Sequence, residues 1–236
     1  MLKRALVFSF LLMGALGTQA QELLTPSLTY SHKKPSYITL KNGTEIEGTI
    51  KDLDRKKGLI EEIKIVNTAD KKVKLKPEDI AHMYLPQSGF DKVSQAMDFA
   101  SDAQKWNNEQ LDQDLLGDGY VYFENAQVFY KKKKKMELLM QLLNPSFSKE
   151  VKVYHDPMAK QSMSVGVAGV TLAGGLEKSY FVLPQGTEAA YKLKKKDYDE
   201  EYPVMWAGCE ALMNDTENRQ WRKLTDHVIA FSQCNN

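Results

Sequence analysis

The chain has 236 residues, of which 42% are hydrophobic and 27% charged, and its formal net charge is +1 at pH 7. This near balance argues against a polyanion or a membrane surface as a partner of the whole chain. The length suits one large domain or two small ones.

The first twenty residues have the pattern of a cleavable secretory signal. Lys3 and Arg4 form a basic head, an apolar stretch runs from Ala5 to Leu16, and a small-x-small cleavage site precedes Gln21. The apolar stretch is shorter than the roughly 20 residues that a membrane span needs. Because position 21 is not a cysteine, no lipid anchor is expected. The sequence therefore predicts an exported protein that is soluble after cleavage.

Residues 35–86, which follow an N-terminal tail at 21–34, alternate apolar and polar side chains in five short segments. Asn42–Gly43 provides residues that suit a tight hairpin turn. Lys76–Ile80 combines proline with paired acids and predicts one helical turn before the last segment. Five short strands with this turn predict an SH3-like or Sm-like small barrel, which ends where the composition changes near Pro86.

Residues 87–119 are predicted to be an acidic helical connector. Acidic side chains outnumber basic ones, and from Phe90 to Leu116 the apolar residues recur at steps of three and four. This periodicity is typical of one or two surface helices, and Gly117–Gly119 ends it.

Residues 120–236 predict an α+β domain, so that the whole chain is a β-rich α+β protein. The first strand signal lies on either side of Glu124–Asn125, and a further apolar element follows the lysines after Tyr130. Two helices are predicted to close the domain. Further strands are predicted at Val151–Val153, Tyr180–Val182 and Tyr191–Leu193.

Two cysteines, Cys209 and Cys234, lie near the C-terminus. In an exported chain an isolated pair is first interpreted as one disulfide, which here would join the two closing helices. Two free thiols are the alternative. A redox or metal pair would need a Cys-x-x-Cys spacing, which is missing.

Several motifs, taken in their order, resemble a known group of proteins. They are the "K-N-G-T-E-I-E-G-T-I" strand pair, the "K-P-E-D-I" turn, a glycine-bearing loop before "K-S-Y-F-V", and one cysteine on each closing helix. Over residues 35–234 this order is similar to a large group of uncharacterised exported proteins of Bacteroidetes-type Gram-negative bacteria. The resemblance implies a periplasmic or outer-envelope location. That group has no established activity, so it supplies no functional residue.

The sequence contains no recognisable catalytic, cofactor-binding or metal-binding pattern. The four histidines are not spaced as paired ligands on one helix face. The glycine-bearing segment Gly166–Gly175 lacks the lysine of a phosphate loop and is interpreted as a loop between strands. The histidines are His32, His82, His155 and His227.

One run of lysines is a candidate for anion binding. It lies beside Phe129 and Tyr130, and such a charge run attracts polyphosphate, anionic lipid headgroups or acidic glycans. A solvated loop is the alternative interpretation. The run consists of Lys131, Lys132, Lys133, Lys134 and Lys135.

Three functions are consistent with these patterns. The first is a non-catalytic envelope protein that binds a protein or glycan partner; nucleic acid is disfavoured because the chain is exported. The second is an anion-binding protein that uses the lysine run. The third is a hydrolase whose site is assembled from residues distant in sequence, which would require a deep pocket with convergent polar groups.

Overall fold

The computed structural model describes residues 23–88, 111–131, 134–159 and 176–234. The predicted signal, most of the acidic connector, Gly166–Gly175, Lys132 and Lys133 lie outside these residues. Within them the protein is β-rich α+β, with one large antiparallel sheet, one small sheet and a few short helices. This agrees with the fold class predicted from the sequence.

The described residues form ten strands and four α-helices, together with four short 3₁₀ turns. The strands are β1 (Pro35–Leu40), β2 (Glu45–Lys56), β3 (Leu59–Asn67), β4 (Lys72–Leu75), β5 (Ile80–Pro86), β6 (Tyr120–Lys131), β7 (Lys134–Gln141), β8 (Val151–His155), β9 (Ser179–Pro184) and β10 (Tyr191–Lys194). The helices are α1 (Gln113–Gly117), α2 (Tyr198–Met205), α3 (Glu210–Asn214) and α4 (Leu224–Cys234), and the 3₁₀ turns are Pro77–Asp79, Pro145–Phe147, Lys195–Asp197 and Trp221–Lys223.

The first five strands follow the sequence prediction closely. The predicted hairpin joins β1 to β2, with Gly43 at a φ of 83° and the Asn42 Oδ1 atom accepting a hydrogen bond from the Thr44 amide at 3.0 Å. Glycine adopts this left-handed conformation without the steric cost that a Cβ brings. The predicted helical turn is the 3₁₀ turn at Pro77–Asp79, directly before β5.

These five strands do not form a closed barrel in the part of the chain that the structure describes. The large sheet has the order β4-β3-β2-β1-β5-β6-β7, so that β4 and β7 are its edges. Strand β5 pairs with β6 as well as with β1, and the sheet continues past the predicted boundary at Pro86. The predicted SH3-like or Sm-like barrel is therefore not confirmed.

Strand β6 is one continuous twelve-residue strand and is not interrupted at Glu124–Asn125. Both polar side chains form hydrogen bonds within the protein, so neither needs to be exposed to water in a turn. The Glu124 carboxylate accepts hydrogen bonds from Lys152 Nζ at 2.8 Å and from the Tyr154 hydroxyl at 2.7 Å. Asn125 Nδ2 donates to the Pro77 carbonyl at 2.8 Å. Tertiary contacts therefore override the local preference of these polar residues.

The second sheet has the order β10-β9-β8 and packs against the C-terminal helices. Trp206, Leu224 and Val228 are fully buried in the core that these elements share. The predicted disulfide between Cys209 and Cys234 is present, with its Cα atoms 5.5 Å apart, and it joins the start of α3 to the end of α4. None of the helices in the described ranges is long and apolar enough to cross a membrane.

Candidate functional site

The described lysines of the predicted run lie where β6 ends and β7 begins. Lys131 and Lys134 are opposite each other in the strand register, and Lys132 and Lys133 are outside the described residues. Lys134 is exposed. Lys135 forms an ion pair with Glu188, and its Nζ atom lies 5.6 Å from the centre of the Phe129 ring. The charge of Lys135 is therefore already neutralised by the protein.

A second group of lysines was not singled out from the sequence, although its members lie within nineteen residues of each other. They surround a depression with a volume of about 590 Å³, within the range of about 300–1,000 Å³ that is typical of small-molecule sites. The group consists of Lys178, Lys192, Lys194, Lys195 and Lys196.

The antiparallel pairing of β9 with β10 brings these lysines together. Ser179, the first residue of β9, is opposite Lys194, the last residue of β10. The chain then enters the 3₁₀ turn at Lys195, whose amide donates to the carbonyl of Lys178 at 2.9 Å. The end of one strand and the start of the other thus place lysines from both at the same corner of the sheet.

A buried carboxylate contacts three of the residues that line the depression. Asp156, which follows β8, is 1% exposed. Its Oδ2 atom accepts a hydrogen bond from the Ser179 hydroxyl at 2.6 Å and lies 2.5 Å from Lys192 Nζ. Its Oδ1 atom accepts from the amide of Met158 at 3.1 Å. The carboxylate therefore neutralises Lys192 and fixes β8, β9 and β10 relative to one another.

The other lysines are only partly neutralised. Asp197 lies 3.7 Å from Lys194 Nζ and 3.3 Å from Lys196 Nζ, so that one carboxylate serves two ammonium groups. Among the described residues, no carboxylate oxygen lies within 4.0 Å of the Nζ atom of Lys178 or Lys195. The depression therefore has an excess of positive charge.

The lysine hairpin and the depression are neighbours. The Tyr130 hydroxyl, from the residue before Lys131, lies 3.5 Å from the Sδ atom of Met158, which lines the depression. The backbone amide of Phe129 also donates to the Ala190 carbonyl at 2.8 Å, just before β10. The run that the sequence indicated and the lysines that the structure adds therefore lie on adjoining parts of the surface.

The histidines are dispersed and do not form a common site. The His32 Nδ1 atom lies 2.8 Å from the Ile50 carbonyl, and the His82 ring contacts the rings of Tyr84 and Tyr122. Burial lowers the pKa of His82. Across the described part of the chain, no three histidine, cysteine or acidic side chains are grouped so that they could hold a metal ion.

His155 belongs to a separate, smaller cavity. Its Nδ1 atom lies 3.0 Å from Glu177 Oε2, and the residue lines a space of about 70 Å³ together with Arg55 and Gln141. The Gln141 Nε2 atom is buried without a hydrogen-bond partner among the described residues. A space of this size holds a few water molecules rather than a substrate.

Glu124, Lys152 and Tyr154 form a further, partly buried polar cluster between the two sheets. Burial raises the pKa of Tyr154 well above its usual range, and the negative charge of Glu124 adds to this effect. The tyrosine therefore stays protonated and donates its hydrogen bond to Glu124. The cluster links β6 to β8.

Comparisons with family models, with curated proteins and with solved structures found no match for this chain.

Proposed function

We propose that this chain is an exported, non-catalytic binding protein that holds an anionic ligand in the lysine-lined depression. The observation that carries the proposal is the grouping of five lysines around one concave surface with two neighbouring carboxylates, Asp156 and Asp197. Like charges gathered in this way repel one another, and a bound anion relieves the repulsion.

The arrangement of the lysines supports a site in which some charges are fixed and others are free. Lys192 is held in place by Asp156, whereas Lys178 and Lys195 project from the rim without a described acidic partner. Lysine ammonium groups act as point charges with three donors each, and they suit phosphate or carboxylate groups without imposing a planar geometry. The proposed ligand therefore carries at least one phosphate or carboxylate group.

Three features support the exported setting. The N-terminal twenty residues have the pattern of a secretory signal, and the disulfide between Cys209 and Cys234 suits an oxidising compartment. The resemblance to exported proteins of Gram-negative bacteria favours the periplasm or the outer envelope, with an envelope protein or glycan as a further partner.

The order β4-β3-β2-β1-β5 also supports a relationship to SH3-like and Sm-like barrels, whose members are mostly binding modules.

The proposal is tested by titrating the mature protein with inorganic pyrophosphate in low salt, using isothermal titration calorimetry. We expect saturable binding that weakens as salt is added, because ions screen the lysine charges. The double variant Lys178→Gln/Lys195→Gln is expected to weaken binding at least tenfold. Lys51→Gln/Lys71→Gln, which removes two exposed lysines elsewhere, serves as the matched control and should change the affinity less than twofold.

Two outcomes would overturn the proposal. One is the absence of saturable binding by the wild-type protein. The other is an equal loss of affinity in the two double variants, which would show that the protein attracts pyrophosphate through its general charge. A Lys134→Gln variant tests the hairpin separately and is expected to have a smaller effect than the depression variant.

A further inference from the structure

The walls of the lysine-lined depression are mainly apolar. Met158 and Ala159 form one side. Met158 is 41% exposed, although methionine is usually buried, and it is one of the few large hydrophobic side chains exposed in the described structure. A thioether side chain is flexible and polarizable, and it adapts its shape to apolar ligands.

The lysines themselves add to this apolar lining. Each of the five lysines that line the depression brings a stem of methylene groups as well as its ammonium group. Long lysine side chains commonly lay their methylene stems along apolar surface and keep the ammonium group in water. The depression therefore combines hydrocarbon walls with a charged rim.

This combination of apolar walls and charged rim distinguishes between classes of ligand. An inorganic anion or a polyanion would use the ammonium groups and leave Met158 in contact with water. A neutral apolar molecule would use the walls and leave Lys178 and Lys195 without a counter-charge. A molecule with an anionic group on a hydrocarbon chain uses both parts of the depression at once.

The volume of the depression suits one small molecule. It measures about 590 Å³, within the range that is typical of small-molecule sites, and it is open to solvent. We therefore take the ligand as a monomer, and binding to a membrane surface is an outcome of the test.

We infer that the ligand of this depression is a monomeric single-chain anionic amphiphile, with its carboxylate or phosphate at the lysine rim and its hydrocarbon chain against Met158 and Ala159. This inference rests on the proposed function, since it names the chemical class of ligand for the same site.

The test compares butanoate, octanoate and dodecanoate, each below its micellar concentration, by isothermal titration calorimetry. We expect affinity to increase about two- to fourfold for each added methylene that enters the depression. Octyl glucoside, which has a chain but no charge, is expected to bind at least tenfold more weakly than octanoate.

Two variants separate the contribution of the ligand's hydrocarbon chain from the contribution of its charge. Met158→Ser is expected to reduce the gain in affinity between butanoate and dodecanoate and to leave butanoate binding unchanged. Val204→Ser, which changes an exposed hydrophobic residue on α2, is the matched control and should leave the whole series unchanged. Lys178→Gln/Lys195→Gln is expected to weaken all three carboxylates by a similar factor.

The outcomes also separate this inference from the proposed function. If butanoate, octanoate and dodecanoate bind equally, the amphiphile is excluded and anion binding stands. If neither pyrophosphate nor any carboxylate binds, both proposals fail. Binding to phosphatidylglycerol vesicles without binding to monomeric dodecanoate would replace the amphiphile site with a membrane-surface contact.

Discussion

The Nζ atom of Lys192 lies 2.5 Å from Oδ2 of Asp156, and this carboxylate is 1% exposed. The same oxygen accepts the hydroxyl hydrogen bond of Ser179. One buried carboxylate thus joins the residue after β8 to β9 and β10, and its partners Ser179 and Lys192 both line the candidate site.

We predict that Asp156→Ala lowers the free energy of unfolding by about 3 kcal/mol, because it leaves Lys192 and Ser179 without their buried partner. Urea denaturation followed by circular dichroism measures this loss. Asp197→Ala is the control, since Asp197 is about one-third exposed and its ion pairs are worth about 1 kcal/mol or less. Equal losses in the two variants would contradict the structural role of Asp156.

The stability of the protein is expected to depend on pH through His227. Its Nδ1 atom lies 2.6 Å from the Tyr198 hydroxyl, and its Nε2 atom has no partner among the described residues. Burial lowers the pKa of His227 from its usual 6.5, although the nearby Asp226 acts in the opposite direction. The unfolded chain therefore binds this proton more readily than the folded protein does.

The sign of this pH dependence follows from proton linkage. The contribution of His227 is complete above about pH 6.5 and is lost as the pH falls towards the lowered folded-state pKa. The slope for one group is at most about 1.4 kcal/mol per pH unit. His82, whose pKa is also lowered, adds an effect of the same sign.

Urea denaturation between pH 8 and pH 5 checks the pH prediction. The wild-type protein should lose stability below pH 6.5, and His227→Phe should show a shallower slope because it cannot bind the proton. An unchanged slope in His227→Phe would assign the pH dependence to other groups.

The disulfide is expected to contribute about 3–4 kcal/mol to stability, because it closes a loop between residues 25 positions apart in the unfolded chain. Cys209→Ala/Cys234→Ala should lose this amount in urea denaturation. Dithiothreitol should lower the wild-type midpoint to a similar extent and should leave the double variant unchanged. A wild-type midpoint that is insensitive to the reductant would count against this contribution.

Gly58, in the turn between β2 and β3, is expected to tolerate substitution less well than Gly186. Both have positive φ angles, of 81° and 79°. A Cβ atom at Gly58 would lie 2.6 Å from the carbonyl oxygen of Pro157, whereas at Gly186 nothing lies within 4 Å. Gly58→Ala should therefore cost about 2 kcal/mol more than Gly186→Ala in the free energy of unfolding, because overpacking adds to the backbone strain. The same cost in both variants would mean that Pro157 moves aside freely.

The elements that could be predicted from the sequence are those whose signal is local. Asn42–Gly43 marks a hairpin because its neighbours alternate on both sides and the turn needs a positive φ. Cys209 and Cys234 are the two cysteines of the sequence, so their pairing needed no knowledge of the fold.

The elements that could not be predicted depend on partners distant in sequence. The strand signal weakens at Glu124, and the partners that accommodate this residue within β6 are Lys152 and Tyr154, which lie 28 and 30 residues further along the chain. The candidate depression is similar in this respect, because Met158, Lys178 and Lys195 come from three segments that are brought together by the pairing of β9 with β8 and with β10. The lysine-rich stretch from Lys192 to Lys196 was the available signal, but nothing local showed that Lys192 faces a buried carboxylate.

The order of strands in the large sheet also has a consequence for how the chain folds. Only two residues separate β2 from β3 and β6 from β7 in the sequence, so these pairs can form early at little entropic cost. The central pairs β1–β5 and β5–β6 close much longer loops. The slow step of folding is therefore expected to be the docking of two preformed hairpin regions on either side of β5, which lies at the junction and completes the sheet last.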